Sequence, residues 1–186
     1  EARKEMYTDK IQLKIGLSAG VPVTGKKLLF EDSIKLAERM CASVRGEIIL
    51  SSEVRELCDS ENSSALRELE GVNVLTQTDE KFLTLLMDFT ESAWSNTNLK
   101  VDDFSKPMGC SKSQLYRKLM LLTGKSPNTI IKEYRLREAL TLLNSNTSNI
   151  SAIAFETGFS SPSYFSKCFQ KRYGQLPSDF LPAKAG

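Results

Sequence analysis

Two stretches of this chain, residues 111–130 (SKSQLYRKLMLLTGKSPNTI) and residues 161–180 (SPSYFSKCFQKRYGQLPSDF), lie over one another when the sequence is shifted by 50 positions. Eight pairs then agree in kind: Ser111/Ser161, Ser113/Ser163, Leu115/Phe165, Arg117/Lys167, Leu119/Phe169, Gly124/Gly174, Pro127/Pro177 and Ile130/Phe180. Just upstream, Gly109 and Gly158 align with one residue's difference, so the second turn is longer by one. Repetition of this kind marks a duplicated structural unit. In each copy a short helical segment, VDDFSKPM or ISAIAFET, ends at a glycine able to take a positive φ; a tight turn follows and a serine caps a second helix. Pro162 stands at the first helical position after Ser161, where its missing N–H costs nothing. A helix, a glycine turn and a capped helix make a helix-turn-helix unit, here written twice.

The second helix of each copy has two distinct sides. Leu115, Leu119 and Leu122 recur at i, i+4, i+7 and predict the buried stripe of the first; Phe165, Phe169 and Tyr173, at i, i+4, i+8, predict that of the second. The opposite side carries Ser113, Tyr116, Arg117 and Met120 in one copy and Ser163, Ser166, Lys167 and Gln170 in the other. Both outward sides place a small hydroxyl near the helix start and a cation one turn later. A lone Arg or Lys on such a face is ordinary solvated surface, but solubility alone would accept any charge and does not explain the same polarity at the same register twice. Arginine can grip guanine O6 and N7 with two hydrogen bonds, worth about 1–3 kcal/mol of discrimination, while lysine, serine and helix N-termini grip phosphates. Tyr116 and Pro162 offer apolar contact to thymine methyls.

Between the copies, Ser126 caps and Pro127 opens a helix whose Leu136, Ala139, Leu140 and Leu143 make an i, i+3, i+4, i+7 seam ending at NSNTSN. Residues 127–143 as a helix would span ~25 Å. With the widths of the two units added, the recognition helices are expected about one DNA turn apart (~34 Å), entering successive major grooves from one side.

The rest of the chain frames this reading. It has 186 residues, 40% hydrophobic and 26% charged, room for two small cores in one soluble protein. There is no histidine, and the four cysteines, Cys41, Cys58, Cys110 and Cys168, form no Cys-x-x-Cys pair. Imidazole-dependent catalysis is thereby excluded, a zinc site or disulfide framework is not expected, and reduced core thiols in a cytoplasmic protein are. No apolar run approaches the ~18 residues that span a bilayer, and EARKEMYTDK is too charged for a signal peptide. Lacking an initiator methionine, the sequence reads as a fragment or a processed product. The net charge of +2 divides unevenly: residues 1–75 hold 11 basic against 13 acidic side chains, residues 76–186 hold 14 against 10. The basic excess sits with the repeat.

Upstream, Ile11, Leu13, Ile15 and Leu17 alternate as in a half-buried strand, with a hairpin or bend expected at Gly16–Gly20. Asp32 or Ser33 is expected to cap a helix carrying Ile34, Leu36, Ala37, Met40 and Cys41. EIIL, a helix capped by Ser51-Ser52 through Val54, Leu57 and Cys58, and the strand GVNVL complete a small α/β unit. Polar TQTDE (76–80) is taken as the boundary, dividing 1–77 from 78–186. Residues 81–94 predict a helix with Phe82, Leu85, Leu86 and Phe89 on one face, followed by a short helix at about 101–108.

On these motifs, NISAIAFETGFSSPSYFSKCFQKRYGQLPSDF resembles the signature of AraC/XylS-type transcription regulators over roughly residues 80–182. Ile-Ala, Gly-Phe, Ser-x-Phe-Ser-Lys-x-Phe and the closing Gly-x-x-Pro carry the likeness. It implies an all-α domain of about seven helices: two helix-turn-helix subdomains joined by a central helix and reading asymmetric promoter sites in a bacterial cell. Carried over by position, the base-reading candidates are Ser113, Tyr116 and Arg117, then Pro162, Ser163, Ser166 and Lys167. Ser111, Lys112 and Ser161 become phosphate contacts. The implied partner is double-stranded promoter DNA, with RNA polymerase, an effector and a second copy of the chain as further candidates. No metal, cofactor or membrane enters.

LKIGLSAGVPV, SIKLAERMC and GEIILSSEVRELC resemble the C-terminal half of class III nucleotide cyclase homology domains, implying a ferredoxin/cyclase-like α+β half domain. That family pairs an Asn with an Arg four residues on; here Lys35 and Arg39 match, so the Asn is absent, and the strands bearing its metal-binding aspartates would lie upstream of residue 1. The expectation is a cyclase-derived fold without activity, used for sensing or association, against plain α/β packing with Arg39 solvated. Three readings of the whole stand together: a DNA-binding regulator; an enzyme remnant binding nucleotide through Arg39; and a helical protein-interaction module, which lacks an evident exposed apolar stripe.

Overall fold

A computed structural model describes residues 13–20, 30–60, 71–145 and 149–181, and the chain divides into two units, Glu1–Lys81 and Phe82–Gly186. In the first unit, strands β1 (Ile15–Leu17), β2 (Ile48–Leu50) and β3 (Val72–Val74) form a parallel sheet in the order β1-β2-β3, with Ile15 opposite Ile48 and Ile48 opposite Val72. Parallel neighbours cannot be joined by a hairpin and need a crossover. Helices α1 (Glu31–Ser43) and α2 (Ser52–Ser60) occupy those connections in the chain. β1 therefore runs parallel to β2, and the hairpin expected after Gly16 does not join these two strands. Ile11 and residues 21–29, where that turn would continue, lie outside the described residues. The central strand is apolar and buried at Ile49 and Leu50; Ile15 and Leu17 on the outer strand are exposed.

α1 begins just ahead of its expected caps: Phe30 is the N-cap, and Asp32 and Ser33 lie inside the helix. Its fully buried residues are Met40 and, just beyond, Val44, while Ile34 stays exposed. At α2 the Ser51 hydroxyl accepts the Val54 N–H (3.4 Å), as the capping pattern predicts. A second acceptor comes from far along the sequence: Glu80 Oε1 takes the Ser52 N–H at 2.6 Å and is itself buried.

Burial raises the Glu80 carboxyl above its ordinary value, against the opposing hydrogen bonds from Ser52. A raised acid pKa means that the folded state favours the protonated form. Its stabilising contribution is then fullest at low pH and is lost as pH climbs through the folded value. Glu80→Gln keeps an acceptor for Ser52 without the charge, so it should gain on the wild type as pH rises from about 4. Urea unfolding of both proteins across that window checks this; a variant that falls behind instead would mean that the ionised carboxylate stabilises α2.

Helix α3 (Gln77–Ala93) starts inside the polar TQTDE stretch, which is a cap and first helical turn rather than a loop. Thr76 Oγ1 accepts the Asp79 N–H at 3.1 Å, and Asp79 Oδ2 accepts back from the Thr76 hydroxyl at 2.7 Å. Its buried face is Phe82, Leu83, Leu86, Met87 and Thr90; Leu85, expected inside, is exposed. Phe89 meets Phe104 edge-on at 4.7 Å. Then follow α4 (Val101–Ser105), α5 (Lys112–Thr123), α6 (Pro127–Ser145), α7 (Ile150–Glu156), α8 (Pro162–Tyr173) and a closing 3₁₀ turn, Pro177–Phe180. Everything described from Gln77 onward is helical or connects helices.

The long helix α6 serves both copies with different faces. Its N-terminal half buries Pro127, Ile130 and Ile131; its C-terminal half buries Leu136, Ala139 and Leu143. At 3.6 residues per turn the two sets lie roughly 160° apart around the axis. The second set joins Ile153, Ala154, Phe159, Phe165 and Phe169 in one apolar cluster, the core of the second copy.

Candidate nucleic-acid interface

The duplicated pattern is present as matching local geometry. Ser111 caps α5, its Oγ accepting the Gln114 N–H at 3.3 Å while Gln114 Oε1 accepts the Ser111 N–H at 2.9 Å. That reciprocal pair satisfies two donors a helix start leaves orphaned. Ser161 caps α8 by accepting the Tyr164 N–H at 3.3 Å, with Pro162 in the first turn. Both helices stop at a left-handed glycine, Gly124 (φ 69°) and Gly174 (φ 75°), and the preceding turns bend at Gly109 (φ 60°) and Gly158 (φ 79°). Leu115 and Leu119 in one copy and Phe165 and Phe169 in the other are fully buried.

With those stripes inward, the opposite sides face out. Ser111, Lys112, Ser113, Tyr116 and Arg117 are exposed on α5 and its cap; Ser163 and Lys167 are exposed on α8, with Ser161, Pro162 and Ser166 half-buried. Besides the capping hydroxyls of Ser111 and Ser161, two of these groups are already engaged. Lys112 Nζ pairs with Asp102 Oδ1 of α4 at 2.9 Å, both side chains well exposed. A surface pair of this kind is worth about 0–1 kcal/mol and yields readily to a stronger anion. The Ser166 hydroxyl donates to the Pro162 carbonyl at 3.0 Å, leaving it as an acceptor.

Arg135 of α6 is the feature that motif reading passes over. Its Nε donates to the Trp94 carbonyl at 2.6 Å and its Nη2 to the Asn96 carbonyl at 2.7 Å, tying the end of α3 to the linking helix. Gly158, at the turn of the second copy, is buried against the same guanidinium: a Cβ there would stand 2.8 Å from Arg135 Nε. One side chain thus braces the first copy's entry segment, the linker and the second copy's turn. No short motif signals it, because its partners are backbone carbonyls about 40 residues away. Nearby, Tyr164 hydrogen-bonds the Cys168 thiol, which with burial holds its phenol above the ordinary value. The four cysteines are free. No helix among the described residues is long and apolar enough to cross a membrane.

Residues 104–183 match the helix-turn-helix domain family. Histidine kinase P4 of Formosa agariphila is 39% identical over 106 residues, 57% of this chain and 8% of that protein. The HTH-type transcriptional regulator ExsA of Pseudomonas aeruginosa is 34% identical over 107 residues, 58% of this chain and 38% of that protein. The chain thus spans well under half the length of these curated relatives. Among solved structures, a transcriptional regulator from Chromobacterium violaceum described as an AraC-type DNA-binding domain-containing protein superposes with a TM-score of 0.51 at 27% identity, covering 57% of this chain and 96% of that one. With two capped second helices on a shared linker in place, residues 104–183 of this chain match a helix-turn-helix domain and resemble the AraC-type DNA-binding domain in fold.

Proposed function

We propose that this chain is a sequence-specific DNA-binding transcription regulator that sets α5 and α8 into successive major grooves of double-stranded promoter DNA. The observation that carries the reading is the paired exposure of Arg117 and Lys167 at the same register of two helices with the same cap, the same stop and the same buried stripe. Base contacts are assigned to Ser113, Tyr116, Arg117, Pro162, Ser163, Ser166 and Lys167, and phosphate contacts to Ser111, Lys112 and Ser161. RNA polymerase, an effector and a second copy of the chain are further partners in this reading, and the working compartment is the cytoplasm.

Residues 1–77 form, in the same proposal, a partial cyclase-like domain with a sensory or associative role and no catalysis. Lys35, at the position where the cyclase pattern has an Asn, is ion-paired to Glu31 at 2.7 Å, which supports the inactive assignment. Formation of a cyclic nucleotide from ATP or GTP would overturn that part.

The DNA reading is tested by selecting bound sequences from random duplexes and then measuring two variants. Arg117→Ala should relax preference at one or two base pairs and cost about 1–3 kcal/mol on the selected site. Lys112→Ala should weaken all sequences alike and lower the salt slope by about one unit. If both leave affinity and preference unchanged, α5 is not a recognition helix.

A further inference from the structure

Between the two helix-turn-helix copies lies a cavity of about 290 Å³ that base and phosphate reading by α5 and α8 leaves unused. Asn128, Lys132 and Arg135 of α6 line one side, and Gly158, Ser160 and Tyr164 of the second copy line the other. The three α6 residues fall at i, i+4, i+7 and so form one stripe along the helix. No carboxylate stands among the described lining residues, so two cations share the space without a countercharge in its wall. Arg135 has committed two donors to carbonyls, whereas the Lys132 ammonium and the Asn128 amide have no hydrogen-bond or ion-pair partner among the described residues. At about 30 Å³ per water the cavity holds on the order of ten waters. That is room for one tetrahedral anion with part of its hydration shell.

We propose that this cavity is a seat for a single phosphate oxyanion, held by Lys132, with Asn128 and Ser160 as neutral donors and Arg135 as a fixed second charge. A lysine ammonium is a compact point charge with three rotatable donors and suits a phosphate approached from varying angles. The phosphate can come from two sources. One is the backbone of a duplex: with a recognition helix in each of two successive major grooves, the span between the copies passes over the sugar–phosphate strands, and Ser160 adjoins Ser161, the cap of α8. That source rests on the regulator reading above. The other is free phosphate, which does not.

The test uses the full chain as wild type, Lys132→Gln, and Lys81→Gln as a charge-matched control at an exposed site in the first unit. One arm titrates inorganic phosphate without DNA, against chloride at equal ionic strength, and reads the unfolding temperature. The other measures duplex affinity against salt. A rise in unfolding temperature with phosphate that Lys132→Gln abolishes and Lys81→Gln keeps supports the seat and names free phosphate as an occupant. A drop of about 0.9 in the salt slope in Lys132→Gln, with the ranking of sequences preserved and Lys81→Gln unchanged, supports it and names the DNA backbone. If Lys132→Gln behaves as Lys81→Gln in both arms, the seat is overturned. If the wild type binds no duplex at all, the regulator reading fails while the phosphate arm still decides the seat.

Discussion

Gly158→Ala should destabilise the chain far more than Gly109→Ala, although both glycines bend the same turn in their respective copies. Each has a positive φ, 79° and 60°, so alanine at either meets backbone strain of about 1–3 kcal/mol. What differs is the space. An alanine methyl at Gly109 would have nothing within 4 Å, whereas at Gly158 it would sit 2.8–3.0 Å from the Arg135 guanidinium. A flexible arginine could ordinarily swing away. This one is held by the carbonyls of Trp94 and Asn96, and hydrogen bonds from a charged donor are worth about 1.5–3 kcal/mol each. Moving the guanidinium therefore adds a second loss to the strain. Urea unfolding of the two variants reads the difference directly, and equal losses would show that Arg135 is not a brace. Duplex binding should follow the same order, because the displaced side chain also fixes the turn before α8.

The second large effect is expected from Phe169→Ala. Phe169 is fully buried and its ring lies 4.6 Å from Tyr173, 5.4 Å from Phe180 and 5.6 Å from Phe165, so it is the hub of the second copy's core. Truncating a buried Phe to Ala costs about 3–5 kcal/mol, the upper part of that range where neighbours cannot collapse into the space. Three aromatic neighbours packed around the ring leave little freedom to do so. The loss should fall on the second copy, since Phe104, Leu115 and Leu119 of the first copy belong to separate packing. Chemical unfolding should show a marked drop in midpoint, and duplex affinity should fall for every sequence because one of two reading heads is lost. A drop below about 1 kcal/mol would mean that the aromatic cluster repacks and is not the determinant of the second copy.

Local chemistry was legible in the residues because it acts over a turn of helix. Ser111 and Ser161 as caps, Gly109 and Gly158 as turns, and Leu115, Leu119, Phe165 and Phe169 as buried stripes all follow from spacing within a few positions. The misreadings have a common cause. Leu85 looked inward on α3, but an apolar residue beside Leu83, Leu86 and Met87 can belong to either edge of a wide stripe, and packing chose the other edge. On α6 only the C-terminal seam was visible; Ile130 and Ile131 serve a different face, and two faces on one helix cancel each other's periodicity. TQTDE marks a boundary by its polarity but does not by itself show a helix start, because cap residues and loop residues are the same polar set.

What the chain determined by itself is the repeated unit: its caps, its left-handed stops, its buried stripes and the polar faces left over, each set by neighbours no more than about seven residues away. What only the tertiary structure decided is which distant groups meet. Glu80 reaches the start of α2, Arg135 reaches the carbonyls of Trp94 and Asn96 and the turn at Gly158, Lys112 reaches Asp102, and a cationic cavity opens beside α6. Periodicity says which side of a helix turns inward. It carries no information about what stands opposite, because that depends on how two helices cross, and the crossing is settled by the packing of both cores at once.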